Sequence, residues 1–225
     1  GLVAMVEHEE NSRLGVPYFD EEGRLKEYKE KPENPPHKFA VPGIYLASAK
    51  IYGAFEGKGR IKPSDRGEYE IADLFQWMID KDMKVGVEEY EGLWLDPGKF
   101  GDWLKSNQIL LDRYAVRQID GEVDSKSVIK GRVEIGEGSR VIDSKIRGPV
   151  RIGENVIVKN SFIGPYTSIY NHSRVEGCRI ENSVVMGEAE MEKVSKGIDT
   201  SIIGKNARVV GNGREGVMEL FVGSG

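Results

Sequence analysis

Three successive lines of seventeen residues, beginning at Ile129, Ile146 and Ile163, lie over one another with Ile first, Ile seventh and Val thirteenth in each. Within a line the large aliphatics recur at intervals of six, six and five: Ile129, Ile135, Val141, then Ile146, Ile152, Val158, then Ile163, Ile169, Val175. A helical face repeats every 3.6 residues and cannot produce this spacing. Short strands separated by turns can, with three sides to each coil and parallel stacking of one coil on the next.

A smaller or β-branched residue precedes many of these aliphatics by two positions, as in Val133, Val150 and Thr167, or Ser144, Ser161 and Cys178. Residues i and i−2 of a strand share a face, so both sets point into a narrow interior. Gly136, Gly138, Gly148, Gly153, Gly164 and Gly177, with Asn155, Asn160 and Asn171, occupy the corners, where tight or left-handed backbone is needed. Cys178 is therefore read as a packed small residue. The period weakens after Val185, and residues 187–199 read as a protruding loop or irregular coil. Residues 200–204 echo 160–164, so stacking is expected to resume, and residues 217–223 are expected to cap the stack or pair with a neighbour.

The chain has 225 residues, with 39% hydrophobic and 31% charged residues and a formal charge of −5. That length accommodates two modest domains, expected at residues 1–115 and 116–225. Scattered basic residues and a negative balance argue against a nucleic-acid partner. No apolar run is long enough for a membrane span, and no signal-peptide pattern opens the sequence, so the expected location is cytoplasmic. His8, His37 and His172 lack metal-ligand spacing and read as surface or turn residues.

In the first half, residues 1–6 and 15–19 read as strands, with a hairpin turn at 20–23 feeding a strand at 24–30. Residues 68–82 form the clearest helical pattern, with Ile71, Leu74, Phe75, Met78 and Ile79 on one stripe. Residues 84–90 read as a strand and 100–114 as a second helix. Glu30-Lys31-Pro32 ends a strand, where a lysine can meet a phosphate and a carboxylate can accept sugar hydroxyls. Asp96, beside Pro97-Gly98, could contribute a carboxylate to Mg²⁺. By local sequence alone the plainer readings are a solvated turn for the first and an Asx turn for the second.

These segments occur in an order: Leu14-Gly15-Val16, Glu30-Lys31-Pro32, Val41-Pro42-Gly43-Ile44-Tyr45, Ile61-Lys62-Pro63-Ser64-Asp65-Arg66-Gly67-Glu68-Tyr69-Glu70-Ile71, Trp94-Leu95-Asp96-Pro97-Gly98-Lys99 and Ile146-Arg147-Gly148-Pro149-Val150. So ordered, the chain resembles the C-terminal two thirds of a sugar-1-phosphate nucleotidylyltransferase, specifically the long form of glucose-1-phosphate thymidylyltransferase. The resemblance implies an α/β, Rossmann-like nucleotidyltransferase portion followed by a left-handed parallel β-helix of hexapeptide-like coils. It also implies transfer of a nucleotidyl group from a nucleoside triphosphate, dTTP in the first instance, to glucose 1-phosphate, with Mg²⁺ in the intact enzyme. Carried across, Gly15 approaches the sugar, Glu30 binds its hydroxyls, Lys31 binds its phosphate, Val41 and Gly43 line the pocket, and Asp96 helps hold the metal. The catalytic assignments are thus Lys31 and Asp96, and the assembly expected is a homo-oligomer.

The family's Gly-rich nucleotide loop has no counterpart here: Gly57-Lys58-Gly59-Arg60 lacks a strand-to-helix context, and Gly136-x-Gly138 belongs to a corner. The expectation is a chain lacking the nucleotide-binding half, poor in nucleotidyl transfer by itself, that would take a nucleoside triphosphate only if that half were supplied. Three other uses stay open: an oligomerisation or regulatory module built on the β-helix, a mannose-1-phosphate guanylyltransferase, and a β-helix acyltransferase with His172 as base.

Overall fold

The structure is a computed structural model that describes residues 1–65, 67–194, 196–211, 217–218 and 220–223. Arg66, Ser195 and Glu219, which fall within segments singled out in the sequence, lie outside the described residues. The chain forms two compact units, residues 1–94 and 95–225.

In the first unit, strand β1 (Leu2–Glu7) runs parallel to a strand at Gly86–Glu89 and antiparallel to two-residue strands at Phe39–Ala40 and Tyr45–Leu46. The sequence predicts a strand at 84–90, and its central part is the one that pairs. A hairpin of β2 (Gly15–Phe19) and β3 (Leu25–Glu30) stands beside this sheet. Asp20 closes its turn by accepting the backbone N–H groups of Glu22 and Arg24, while Gly23 takes φ +75°. Helix α1 (Ile71–Asp80) covers the core with Ala72, Phe75 and Met78 against Val3, Tyr28 and Val41. It is shorter than the predicted 68–82: Glu70 is its N-cap in extended backbone, and Asp82, at φ +54°, ends it in the left-handed conformation common after helix termini.

The second unit is a parallel β-solenoid with three sides, consistent with a left-handed β-helix. One sheet stacks strands from Gln118–Ile119 to Phe221–Val222, another from Glu122–Val123 to Arg208–Val210, and a third from Val128–Lys130 to Val217–Met218. Ile135, Val141, Ile146, Ile152, Val158, Ile163, Ile169, Val175 and Ile180 fill the interior, each no more than 2% exposed. The corners fall in columns of left-handed residues: Gly138, Asn155, His172, Glu188 and Asn206 all have φ between 53° and 70°.

The period is lost after Val185 because corners absorb changes in length. Phe162 pairs with Arg179, a step of seventeen, but Ser168 pairs with Val184, a step of sixteen, and Arg179 with Gly197, a step of eighteen. The described residues of 187–199 are therefore part of the stack, as coils of altered length, and not a protruding loop. Glu190–Glu192 and Gly197–Ile198 are strands in it, and Met191 and Val194 are buried. Of the C-terminal segment, Val217–Met218 and Phe221–Val222 continue the stack by pairing with Gly197–Ile198 and Ile202–Ile203.

Serine hydroxyls carry a second ladder inside the corners. Ser144 N–H donates to Ser127 Oγ at 3.1 Å, Ser161 N–H to Ser144 Oγ at 3.1 Å, and Cys178 N–H to Ser161 Oγ at 3.2 Å. Ser144 and Ser161 each pass their own proton to the carbonyl two residues back, at 2.7 Å. Cys178 continues the column as a buried thiol, and burial pushes its pKa up. That chemistry is opposite to a reactive thiolate.

Helix α2 (Phe100–Tyr114) packs with the second unit, so the compact units divide between Trp94 and Leu95. On the outer face of the first sheet one column reads Gln118, Glu134, Arg151, Ser168, Val184, Ile202. Leu104 packs on Val184 and Ile202, Asn107 accepts the Ser168 hydroxyl at 2.6 Å, and Glu134 accepts the Val116 N–H at 3.0 Å. The column turns from charged to apolar where the helix covers it.

Thr167 occupies an interior column below Val150 and Val133, and its hydroxyl is buried without a hydrogen-bond partner among the described residues. Thr167→Val removes that unsatisfied donor at nearly constant shape, and should stabilise the chain by about 1 kcal/mol in denaturant unfolding. A loss of stability would show that the hydroxyl is satisfied.

Candidate functional site

The hairpin brings the predicted site residues of the first unit together. Gly15 and Glu30 are cross-strand partners at the open end of β2 and β3, and Gly15 also bridges Val41 on its other side. The Val41 N–H donates to the Gly15 carbonyl at 2.8 Å, and the Lys31 N–H to the Leu14 carbonyl at 3.0 Å. Gly15, Glu30, Lys31 and Val41 thus share one hydrogen-bonded seam, and Gly43 follows in the adjoining turn.

Two of these residues have left-handed backbone. Gly43 has φ +82°, and a Cβ there would meet nothing within 4 Å, so its requirement is conformational and not steric. Lys31 has φ +47°, uncommon for a residue with a long side chain. It turns the chain out of β3 directly after Glu30, so the two side chains stand at the strand end, with Lys31 Nζ 3.6 Å from Glu30 Oε1. A pair at that separation, with Lys31 exposed and Glu30 partly buried, contributes little to stability.

Gly15 has a different requirement. A Cβ on it would lie 2.3 Å from the Tyr28 hydroxyl, and Tyr28 is 3% exposed in the core beneath the seam. The motif reading assigns Gly15 to the sugar, but the packing shows that its missing side chain also makes room for Tyr28. The Tyr28 hydroxyl lies 3.1 Å from that of Tyr45. Burial raises the pKa of both phenols, with the Tyr45 hydroxyl and then Glu30 adding to the rise at Tyr28, and Glu30 adding to it at Tyr45. The sequence reading missed this pair, although Tyr45 closes the Val41–Tyr45 motif and Tyr28 stands two residues before Glu30.

Neighbouring residues brace the site. The His37 ring accepts the Phe39 N–H at Nδ1, which leaves Nε2 to donate to the Pro17 carbonyl at 2.7 Å. It packs among Tyr18, Phe19 and Phe39, so it is a structural residue of the hairpin and not a free surface histidine. Trp94 Nε1 donates to the Pro42 carbonyl at 3.1 Å, holding the turn between Val41 and Gly43.

Asp96 lies in the second unit and is exposed. Among the described residues no group of three or more His, Cys, Asp or Glu side chains converges to hold a metal. A single exposed carboxylate suits Mg²⁺ in the mode where one or two carboxylates act together with substrate phosphates. His172 stands exposed at a left-handed corner of the solenoid, in a column shared with Asn155 and Glu188. No helix among the described residues is long and apolar enough to cross a membrane.

Gly15→Ala should drive a methyl group into the buried Tyr28 ring, lowering the thermal midpoint by several degrees, as expected for about 1–3 kcal/mol of overpacking. Differential scanning fluorimetry checks this, and an unchanged midpoint would mean that Tyr28 can move aside.

Comparison with known proteins identifies the family. A family model described as nucleotidyl transferase matches residues 1–113, so the match includes α2 although that helix packs on the solenoid. The chain is 37% identical over 198 residues to the glucose-1-phosphate thymidylyltransferase of Streptomyces antibioticus, covering 88% of this chain and 54% of that protein. It is 37% identical over 196 residues to the protein of the same name from Streptomyces griseus, covering 87% and 54%. With the low-salt glycan biosynthesis nucleotidyltransferase Agl11 of Haloferax volcanii it shares 34% identity over 209 residues, covering 92% and 57%. The chain spans about half the length of these curated relatives. With a family match over the hairpin, the seam and both helices, the chain belongs to the nucleotidyl transferase family.

Proposed function

We propose that the first unit binds a sugar 1-phosphate, glucose 1-phosphate in the first instance, as the acceptor side of a thymidylyl transfer. The observation that carries this reading is the seam in which Gly15, Glu30 and Val41 pair directly, with Lys31 left-handed at its end. Glu30 accepts hydrogen bonds from sugar hydroxyls, and Lys31 donates to the phosphate. The similarity to proteins named glucose-1-phosphate thymidylyltransferase supports the choice of sugar and nucleotide.

In the proposed reaction a phosphate oxygen of the sugar 1-phosphate attacks the α-phosphorus of dTTP. The bond from that phosphorus to the bridging β-phosphate oxygen breaks, and pyrophosphate leaves with the electron pair. The sugar phosphate is itself the nucleophile, so no serine or cysteine nucleophile is required. What the protein must do is hold two anions in line and offset their repulsion. Lys31 supplies positive charge on the sugar side, and Glu30 orients the ring that carries the attacking phosphate. Asp96 would contribute a carboxylate to Mg²⁺, which when bound supplies positive charge against phosphate. These residues account for the sugar-phosphate side of the reaction, and none of them is assigned to the nucleotide.

Calorimetric titration of the chain with glucose 1-phosphate tests the reading without requiring turnover. Lys31→Ala should weaken binding by roughly tenfold or more, the equivalent of one charge-assisted hydrogen bond. Glu30→Gln should weaken glucose 1-phosphate while leaving the lesser affinity for inorganic phosphate unchanged. Equal affinities in wild type and Lys31→Ala would refute the phosphate role.

A further inference from the structure

Tyr28 and Tyr45 come from different strands and meet directly beneath the seam. Tyr28 is anchored at both ends of its strand position: its backbone N–H donates to Gln76 Oε1 on α1 at 2.9 Å, and its hydroxyl fills the space beside Gly15. Tyr45 lies against Phe75 of the same helix, ring centroids 5.4 Å apart. Their hydroxyl oxygens, 3.1 Å apart, can share only one proton along that line.

The direction of that hydrogen bond follows from burial. Tyr28 is only 3% exposed, and a buried hydroxyl whose proton finds no acceptor costs about 1–3 kcal/mol. Among the described residues its hydrogen-bonding partner is Tyr45. Tyr45 is only half-buried, so solvent or a bound ligand can take its proton. Tyr28 is therefore the donor and Tyr45 the acceptor. The Tyr45 proton is left to point elsewhere, and Glu30 is the carboxylate whose charge reaches both phenols.

We propose that Tyr28 is a positioning residue: by donating to Tyr45 it turns the Tyr45 proton outward, so that the Tyr45 donor and the Glu30 acceptor together read sugar hydroxyls. The proposal rests on the sugar 1-phosphate reading above. A sugar hydroxyl both donates and accepts, so a donor beside a carboxylate holds it in one orientation, which neither group alone can do. A Tyr45 free to rotate its hydroxyl would instead compete with the sugar for Glu30. Tyr28 thus acts on the ligand through Tyr45 without touching it.

A double-mutant cycle with Tyr28→Phe and Tyr45→Phe tests this, since both substitutions retain the buried ring. Glucose 1-phosphate affinity, measured by calorimetry, should fall about fivefold in each single variant and no further in the double variant, because both remove the same oriented donor. Unchanged affinity in Tyr28→Phe, or losses that multiply in the double variant, would overturn the positioning role. A second measurement needs no ligand: titration of ¹³C-labelled tyrosine by NMR. The Tyr45 midpoint should rise in Tyr28→Phe, because its phenolate loses a donor, and a midpoint that stays or falls would overturn the assigned direction. If the phenol shift is present but wild type takes up no glucose 1-phosphate, the function proposed above is refuted and the sugar-reading role with it. Binding that is insensitive to Tyr28→Phe refutes the positioning role alone.

Discussion

Strands of two or three residues cannot hold themselves, and most strands of this protein are that short. Each gains its hydrogen bonds only when another segment arrives at the right height, because buried backbone N–H and C=O groups have to be paired. In the solenoid the partner is the coil above or below. In the first unit it is the seam through Gly15, where the two flanking segments hydrogen-bond to one residue. Both units are assembled from non-local pairings, and the arrangement of the candidate site depends on the second of them.

That dependence explains why the site residues are of such different kinds. Glu30 and Lys31 carry the charge, but their place is determined by Gly15, which has neither charge nor side chain. Lys31 departs from ordinary backbone geometry at the end of β3, and left-handed non-glycine residues of this kind often mark positions held for function. Beneath the seam, Tyr28 uses the volume that Gly15 leaves open, so the backbone pairing of the seam and the packing of the core both rest on that glycine. In the solenoid, left-handed residues recur in columns and belong to the corners, and the backbone of His172 is one of them.

Much of this was legible in the sequence. The seventeen-residue register located the interior positions Ile146, Ile163 and Val175 and identified Cys178 as a packed residue. The motif order located Gly15, Glu30, Lys31, Val41 and Gly43, and the structure brings Gly15, Glu30, Lys31 and Val41 into one seam with Gly43 in the next turn. The stack between residues 187 and 199 was not legible. A missing residue at one corner and two extra at another destroy a linear period while leaving every strand paired. The placement of α2 was equally hidden, since Val184 and Ile202 on the outer column look like ordinary strand residues until a helix is known to cover them.

The sequence by itself determined the repeating coil, the hairpin, both helices and the charged pair at residues 30 and 31. These are local properties, encoded by spacing and by the conformational limits of glycine, asparagine and proline. Tertiary structure decided that α2 packs with the solenoid, that Gly15 joins three segments, and that Tyr28 meets Tyr45. Those outcomes depend on which distant surfaces become neighbours and on which buried polar groups then lack any other partner. Neither condition is carried by a residue and its near neighbours along the chain.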